Sequence, residues 1–206
     1  MACTLPLPYG LGNLRALLIF LLPFNAVYNI PLNIKRLIYF ALCESHLSYG
    51  NSFWSKAKQS IVNPLQILQK KIVRNLVAAK YNSHTEPIFK SLEILKFEDI
   101  ALLNRVKLAH AVFNNYAPPT ISNYIKKATP QPRLRQNPNN LFLNPRLGNS
   151  IIFFTIPREW NNLNESLKNI TGKKLFKDNV KDSIISKYKA ELNCPQPCRS
   201  CPQMIT

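Results

Sequence analysis

The chain has 206 residues, with 27 Lys+Arg against 10 Asp+Glu, a formal net charge of +17 and 46% hydrophobic residues. That apolar fraction excludes a disordered tail, and the length suffices for one domain or two small ones. The basic excess recurs in residues 1–60, 61–129 and 130–206 alike, so it belongs to a whole surface, and phosphate polyanions are the commonest reason for such a surface.

Residues 1–30 form an apolar leader. LRALLIFLLPF (14–24) is expected to be a core helix: no Lys or Arg precedes it as in a secretory signal. Counted around Arg15 and Pro23 it is also too short to span a bilayer. The alternative is a membrane-associated protein held through residues 14–28.

Residues 31–127 read as helices. In IPLNIKRLIYFALCESH the apolar residues Ile34, Leu37, Ile38, Ala41 and Leu42 recur at helical spacing and are expected on the buried face. CESHLSYGNSFW (43–54) then mixes hydroxyls, a His and aromatics. Tyr49, Phe53 and Trp54 are the residue types that stack on bases, but core packing is the preferred reading. In SIVNPLQILQKKIVRNLVAAK, Asn63 is expected to cap a helix with Pro64 at its first position. Leu65, Leu68, Ile72 and Leu76 form its apolar stripe, and Lys70, Lys71 and Arg74 gather opposite. HTEPIFKSLEIL offers Thr85 as a cap. FEDIALLNRVKLAHAVFNNY (97–116) forms a longer helix with Ile100, Leu103, Val106, Ala109 and Phe113 inward, ended by Asn114, Asn115 and Pro118-Pro119.

ATPQPRLRQNPNN (128–140) is a linker or binding loop carrying Arg133 and Arg135. Residues 141–192 are expected to form a small α+β region. NNLFLNPRLGNSIIFFTIP suggests a β-hairpin turning at Pro145–Asn149, because SIIFFTI (150–156) is β-branched and aromatic. In the closing helix Phe176, Val180, Ile184, Tyr188 and Leu192 share a face, with Lys173, Lys174, Lys177 and Lys181 around it.

Chemistry is marked by absences. The adjacent acidic pair Glu98-Asp99 suits a helix N-terminus better than Mg²⁺. No Gly-rich phosphate loop, Ser nucleophile elbow or His-based zinc pattern occurs. His46, His84 and His110 are expected to make structural hydrogen bonds. An enzyme is not expected, nor is a cofactor. Five scattered cysteines, Cys3, Cys43, Cys194, Cys198 and Cys201, argue against a secreted disulfide framework and for an intracellular, nuclear or cytoplasmic compartment. In the tail, residues 193–206, Cys194, Cys198 and Cys201 are a weak zinc candidate that lacks a fourth ligand. The positive features favour nucleic acid: Lys70, Lys71, Arg74, Arg133, Arg135, Lys173, Lys174, Lys177 and Lys181 are candidate phosphate contacts.

Four stretches in register carry a resemblance. LIYFALCESHLSYGNSFW, ILQKKIVRNLVAAKYNSHTEPIFKSLEILKFEDI, FFTIPREWNNLNESLKNI and KKLFKDNVKDSIISKY, spread over about residues 12 to 190, resemble the region after the catalytic palm in reverse transcriptases of jockey-like non-LTR retrotransposons. Departures are Asn164 where the family has Pro, and Ile156-Pro157 where it has Gly-Pro before the Trp. The resemblance implies a thumb and post-thumb fragment: a mainly α, thumb-like helical bundle followed by a short β-hairpin and C-terminal helices. It further implies that the palm aspartates of RNA-directed DNA polymerase activity are lacking, so the fragment is non-catalytic. Its expected partners are RNA or DNA without sequence preference and the missing palm domain, with a membrane disfavoured. Ser45, His46, Tyr49, Gly50, Trp54 and Trp160 would be a packed structural corner.

Overall fold

The computed structural model describes residues 30–128, 138–143 and 152–188. Within these the protein is mainly helical. The leader, most of the expected linker with Arg133 and Arg135, the Pro145–Asn149 turn, Leu192 and the Cys tail lie outside the described residues. Two compact units are assembled from discontinuous segments. The first takes Met1–Tyr49, Ala57–Phe97 and Ile185–Thr206, and the second takes Gly50–Lys56 and Glu98–Ile184.

The first unit begins with α1 (Leu32–Ile38), opened after Pro31, whose carbonyl accepts from the amides of Ile34 and Lys35 at 3.1 Å each. The helix runs on through a π-helical turn (Tyr39–Glu44) into α2 (Ser45–Ser48). The wider turn changes which residues align. Tyr39, Cys43 and Leu47 are buried, whereas Leu32, Ile34, Leu37 and Leu42 are exposed. The expected buried face is therefore the solvent face. A 3.6-residue period cannot be carried across a widened turn without losing phase.

Helix α3 (Asn51–Trp54) belongs to the second unit. Helix α4 (Gln59–Leu76) buries Val62, Leu65, Leu68, Gln69, Ile72, Val73 and Leu76, which bears out the predicted stripe. It starts a turn earlier than expected, with Pro64 inside it. Asn63 does not cap: its side-chain oxygen accepts from Gln59 Nε2 at 2.7 Å. Gln69 is the polar centre of this core. Its Nε2 donates to Tyr39 Oη (2.8 Å) and the Leu95 carbonyl (2.9 Å), and its Oε1 accepts from the Phe97 amide (2.8 Å). Every buried polar atom in that set has a partner, which is what makes a buried amide tolerable. Burial pushes the Tyr39 phenol well above its ordinary range. Helix α5 (Glu86–Ser91) follows Thr85, which holds the N-cap position without a side-chain cap bond.

Helix α6 (Phe97–Phe113) enters the second unit, burying Ile100, Leu103, Val106 and Ala109 as expected. After the short α7 (Pro119–Ser122), Lys127 and Leu141 form an isolated antiparallel bridge, the β pairing present among the described residues. The expected hairpin is overturned: residues 152–156 open helix α8 (Ile152–Asn161). Ile156 and Trp160, four apart and both within 1% of full burial, set the helical register. Packing here outweighs the strand preference of Ile and Phe, which is mostly a packing preference in the first place. Helices α9 (Glu165–Lys168) and α10 (Lys173–Ser186) complete the order, the latter burying Phe176, Val180 and Ile184.

With only five glycines, the chain ends three helices on other residues in the left-handed conformation: Ala78 (φ 51), Glu93 (φ 52) and Asn115 (φ 60). All three endings share one hydrogen-bond pattern. Ala79, Ile94 and Tyr116 amides donate to the carbonyls of Arg74, Phe89 and Ala111, while Ala78, Glu93 and Asn115 amides donate to Asn75, Lys90 and Val112. This is the turn that usually takes Gly, because a Cβ crowds the following carbonyl. Replacing Ala78→Gly is expected to raise stability by about 0.5–1 kcal/mol in thermal melts.

Candidate nucleic-acid interface

Among the described residues, ion pairs engage the carboxylates of Glu86, Glu93, Glu159 and Glu165. In the first unit Arg36 meets Glu93 (2.6 Å) and Lys96 meets Glu86 (2.9 Å). In the second, Arg105 forms a buried fork with Glu159 (2.6 and 2.8 Å) and adds a bond to Ser55 Oγ (2.6 Å). Lys168, also buried, spends its three donors on Glu165 (2.8 Å), Asn140 Oδ1 (3.0 Å) and the Asn161 carbonyl (3.1 Å). The cations of the two buried pairs are thus fixed inside the fold.

The predicted contacts sort by the same test. Lys70 and Lys71 are exposed on α4, and Lys173, Lys174 and Lys177 are exposed on α10. Arg74 is half-buried: its Nε donates to the Ser83 carbonyl (2.8 Å) and its guanidinium lies 6.0 Å from the Tyr81 ring. It holds a turn in place as well as carrying charge. Lys181 is half-buried. Arg133 and Arg135 lie outside the described residues, as do Cys194, Cys198 and Cys201. No group of three metal-ligating side chains occurs among the described residues.

Within the second unit, lysines and rings come together at the C-terminal end of α6. Lys127 Nζ lies 4.8 Å from the Phe113 ring, and Lys173 Nζ lies 4.5 Å from the Tyr116 ring. Beneath them is an aromatic core. Phe113 packs on Trp160 (5.4 Å), Trp160 on Phe176 (5.9 Å), and His110 stacks on Phe176 (4.1 Å). Trp160 Nε1 donates to the Asn139 carbonyl (2.8 Å). Its neighbour Asn161 receives the Leu141 amide (2.8 Å) and donates to the Leu141 carbonyl (3.0 Å), standing in for a paired strand. The Trp-Asn pair of α8 therefore pins residues 139–141, and these hold the segment carrying Lys126 and Lys127 through bonds from Ala128 to Asn140 and from Phe142 to Lys126.

The corner residues divide. Ser45 Oγ donates to the Ala41 carbonyl (2.7 Å), and His46 Nδ1 donates to the Leu42 carbonyl, serving carbonyls of the widened turn. Gly50 takes the left-handed conformation (φ 61) that a side chain resists. Trp160 is fully buried, as expected. Tyr49, by contrast, is 84% exposed and Phe53 is also exposed, so these two are not packed as anticipated. Trp54 lies in α3.

Sequence reasoning missed Lys126, Lys127, Tyr116, Tyr124 and Phe142 as surface residues of this end. The doublet Lys126-Lys127, two residues beyond Tyr124, is the one signal that was available.

No protein-family model, no curated protein and no solved structure matches the chain. What its fold and surface define is a mainly α, strongly basic protein. No helix among the described residues is long and apolar enough to cross a membrane.

His110 supplies a pH test of the aromatic core. Its Nε2 donates to the Ile170 carbonyl (2.7 Å). Burial holds its pKa below the ordinary 6.5, and Lys173 pushes the same way, against the Ile170 bond. The unfolded chain therefore binds this proton more readily than the folded one. Its contribution to stability is full above pH 6.5 and is lost as pH falls from there through the folded value. Thermal melts across that range should show stability dropping on acidification, and His110→Gln should flatten that part of the profile.

Proposed function

We propose that this chain is a non-catalytic, basic helical module that binds RNA or DNA through its phosphate backbone without reading sequence. One observation carries the proposal: among the described residues, Glu86, Glu93, Glu159 and Glu165 are drawn into ion pairs, while Lys70, Lys71, Lys173, Lys174 and Lys177 stand exposed on long helices. Exposed ammonium groups on a rigid helix meet phosphate oxygens at little reorganisation cost, and release condensed counterions when they do. The resemblance to the thumb and post-thumb region of non-LTR retrotransposon reverse transcriptases supports the same reading. In it the module is a fragment of an RNA-directed DNA polymerase whose catalytic palm lies elsewhere.

Binding through phosphates predicts a steep salt dependence. Each phosphate contact adds about 0.7 to the slope of log affinity against log salt for a single strand, and about 0.9 for a duplex. Replacing Lys173, Lys174 and Lys177 together by Gln should therefore reduce that slope by about 2 to 3. Affinity that does not change with salt would contradict the proposal.

A second reading rests on α1, whose Leu32, Ile34 and Leu37 are exposed and which follows the apolar run 14–24. An apolar face of this kind, with lysines nearby, lies on anionic lipid. Flotation of the full chain with anionic vesicles separates the two: the nucleic-acid reading expects no lipid binding, and unchanged binding to oligonucleotides when residues 1–30 are removed.

A further inference from the structure

We infer that the second unit carries a site for single-stranded nucleic acid, built from the rings of Tyr116, Tyr124 and Phe142 with Lys126, Lys127 and Lys173 beside them. The inference rests on the nucleic-acid reading above and narrows its substrate class. A duplex keeps its base faces stacked and offers a protein its phosphates and groove edges, so a surface made for a duplex backbone has no use for exposed rings. A single strand offers both phosphates and open base faces.

This surface supplies both. Tyr116 is 52% exposed, Tyr124 66% and Phe142 53%. None of the three is a dangling side chain. Tyr116 follows the left-handed Asn115 that closes α6, its amide bonded to the Ala111 carbonyl at 2.7 Å, and Lys173 Nζ lies against its ring. Tyr124 stacks on Phe153 at 4.8 Å and 25°, so one face of its ring is covered and the phenol still stands largely in solvent. The Phe142 amide donates to the Lys126 carbonyl at 2.8 Å.

The bridge explains how charge and ring alternate. Lys127 opposes Leu141, and Leu141 is buried while Lys127 reaches over Phe113. The next pair along, Lys126 and Phe142, points to the other side of the pleat, and both residues are exposed. A cation and a ring thus stand side by side on the solvent face. Lys127 links the two halves of the site, since its ammonium lies over Phe113, three residues before Tyr116, and Tyr124 precedes Lys127 by three residues. Rings held in place with cations on the same surface, as Lys173 lies against Tyr116, bind any base by its face and the adjoining phosphate by charge. Such a site tolerates sequence.

The test is fluorescence anisotropy of the full chain with a labelled oligo-dT and with a labelled duplex of equal length at matched salt. The single strand is expected to bind about tenfold more tightly than the duplex. Tyr116→Ala should weaken the single strand by about fivefold to tenfold and leave the duplex unchanged, while Tyr116→Phe, which keeps the ring, should bind like the parent. Tyr124→Ala is expected to act in the same direction. Should losing the Phe153 stack unfold it, Tyr116 is decisive alone, with circular dichroism as the folding control. Equal affinity for both oligonucleotides, or equal loss in Tyr116→Ala and Tyr116→Phe, overturns this inference and leaves the phosphate-binding proposal standing. Failure of both oligonucleotides to bind in dilute buffer overturns both.

Discussion

The buried fork between Arg105 and Glu159 is the constraint from which the second unit's surface follows. Two parallel hydrogen bonds and a third to Ser55 satisfy the guanidinium in a place where an unpaired charge would be intolerable. The fork joins α6 to α8, one residue before Trp160. From Trp160 and Asn161 the order passes outward to residues 139–141, then across the bridge to Lys126 and Lys127. A strongly basic chain thus uses a scarce carboxylate inside, and the lysines that remain outside are presented by positions the interior has fixed.

Several residues of the stretches proposed to resemble retrotransposon reverse transcriptases serve as joints in this fold. Gln69 of ILQKK ties three segments of the first unit's core. Ser45 and His46 serve the carbonyls of the π-helical turn, and Gly50 turns the chain. Trp160 and Asn161 of EWNN hold the 139–141 segment. Each of these is a packing or hydrogen-bonding role within the fold.

Much of this architecture was legible in the sequence, for stated reasons. The stripes of α4 and α10 were visible because each helix keeps one period throughout. Helix α6 is buried on most sides, with Ala101, Arg105, His110 and Val112 inside as well as the expected Ile100, Leu103, Val106 and Ala109. The face of α1 was misread because its apolar residues Ile34 and Leu37 stand in solvent, and the residues that reach the core, Tyr39, Cys43 and Leu47, lie in and after the π-helical turn. Residues 150–156 misled because Ile and Phe suit any packed surface, and the deciding contact, Trp160 four residues past Ile156, lies beyond that window. Lysines on amphipathic helices could be placed from spacing alone. Exposure of Tyr116, Tyr124 and Phe142 could not, because an aromatic residue is read as core until its neighbours are known.

The measurement that tests the central claim most directly is ultraviolet cross-linking of the full chain to an oligonucleotide, followed by peptide mapping. The account predicts adducts in peptides containing Lys70-Lys71, Tyr116, Lys126-Lys127 and Lys173–Lys177, lost when salt is raised. Adducts confined to α1, or none at low salt, would contradict it.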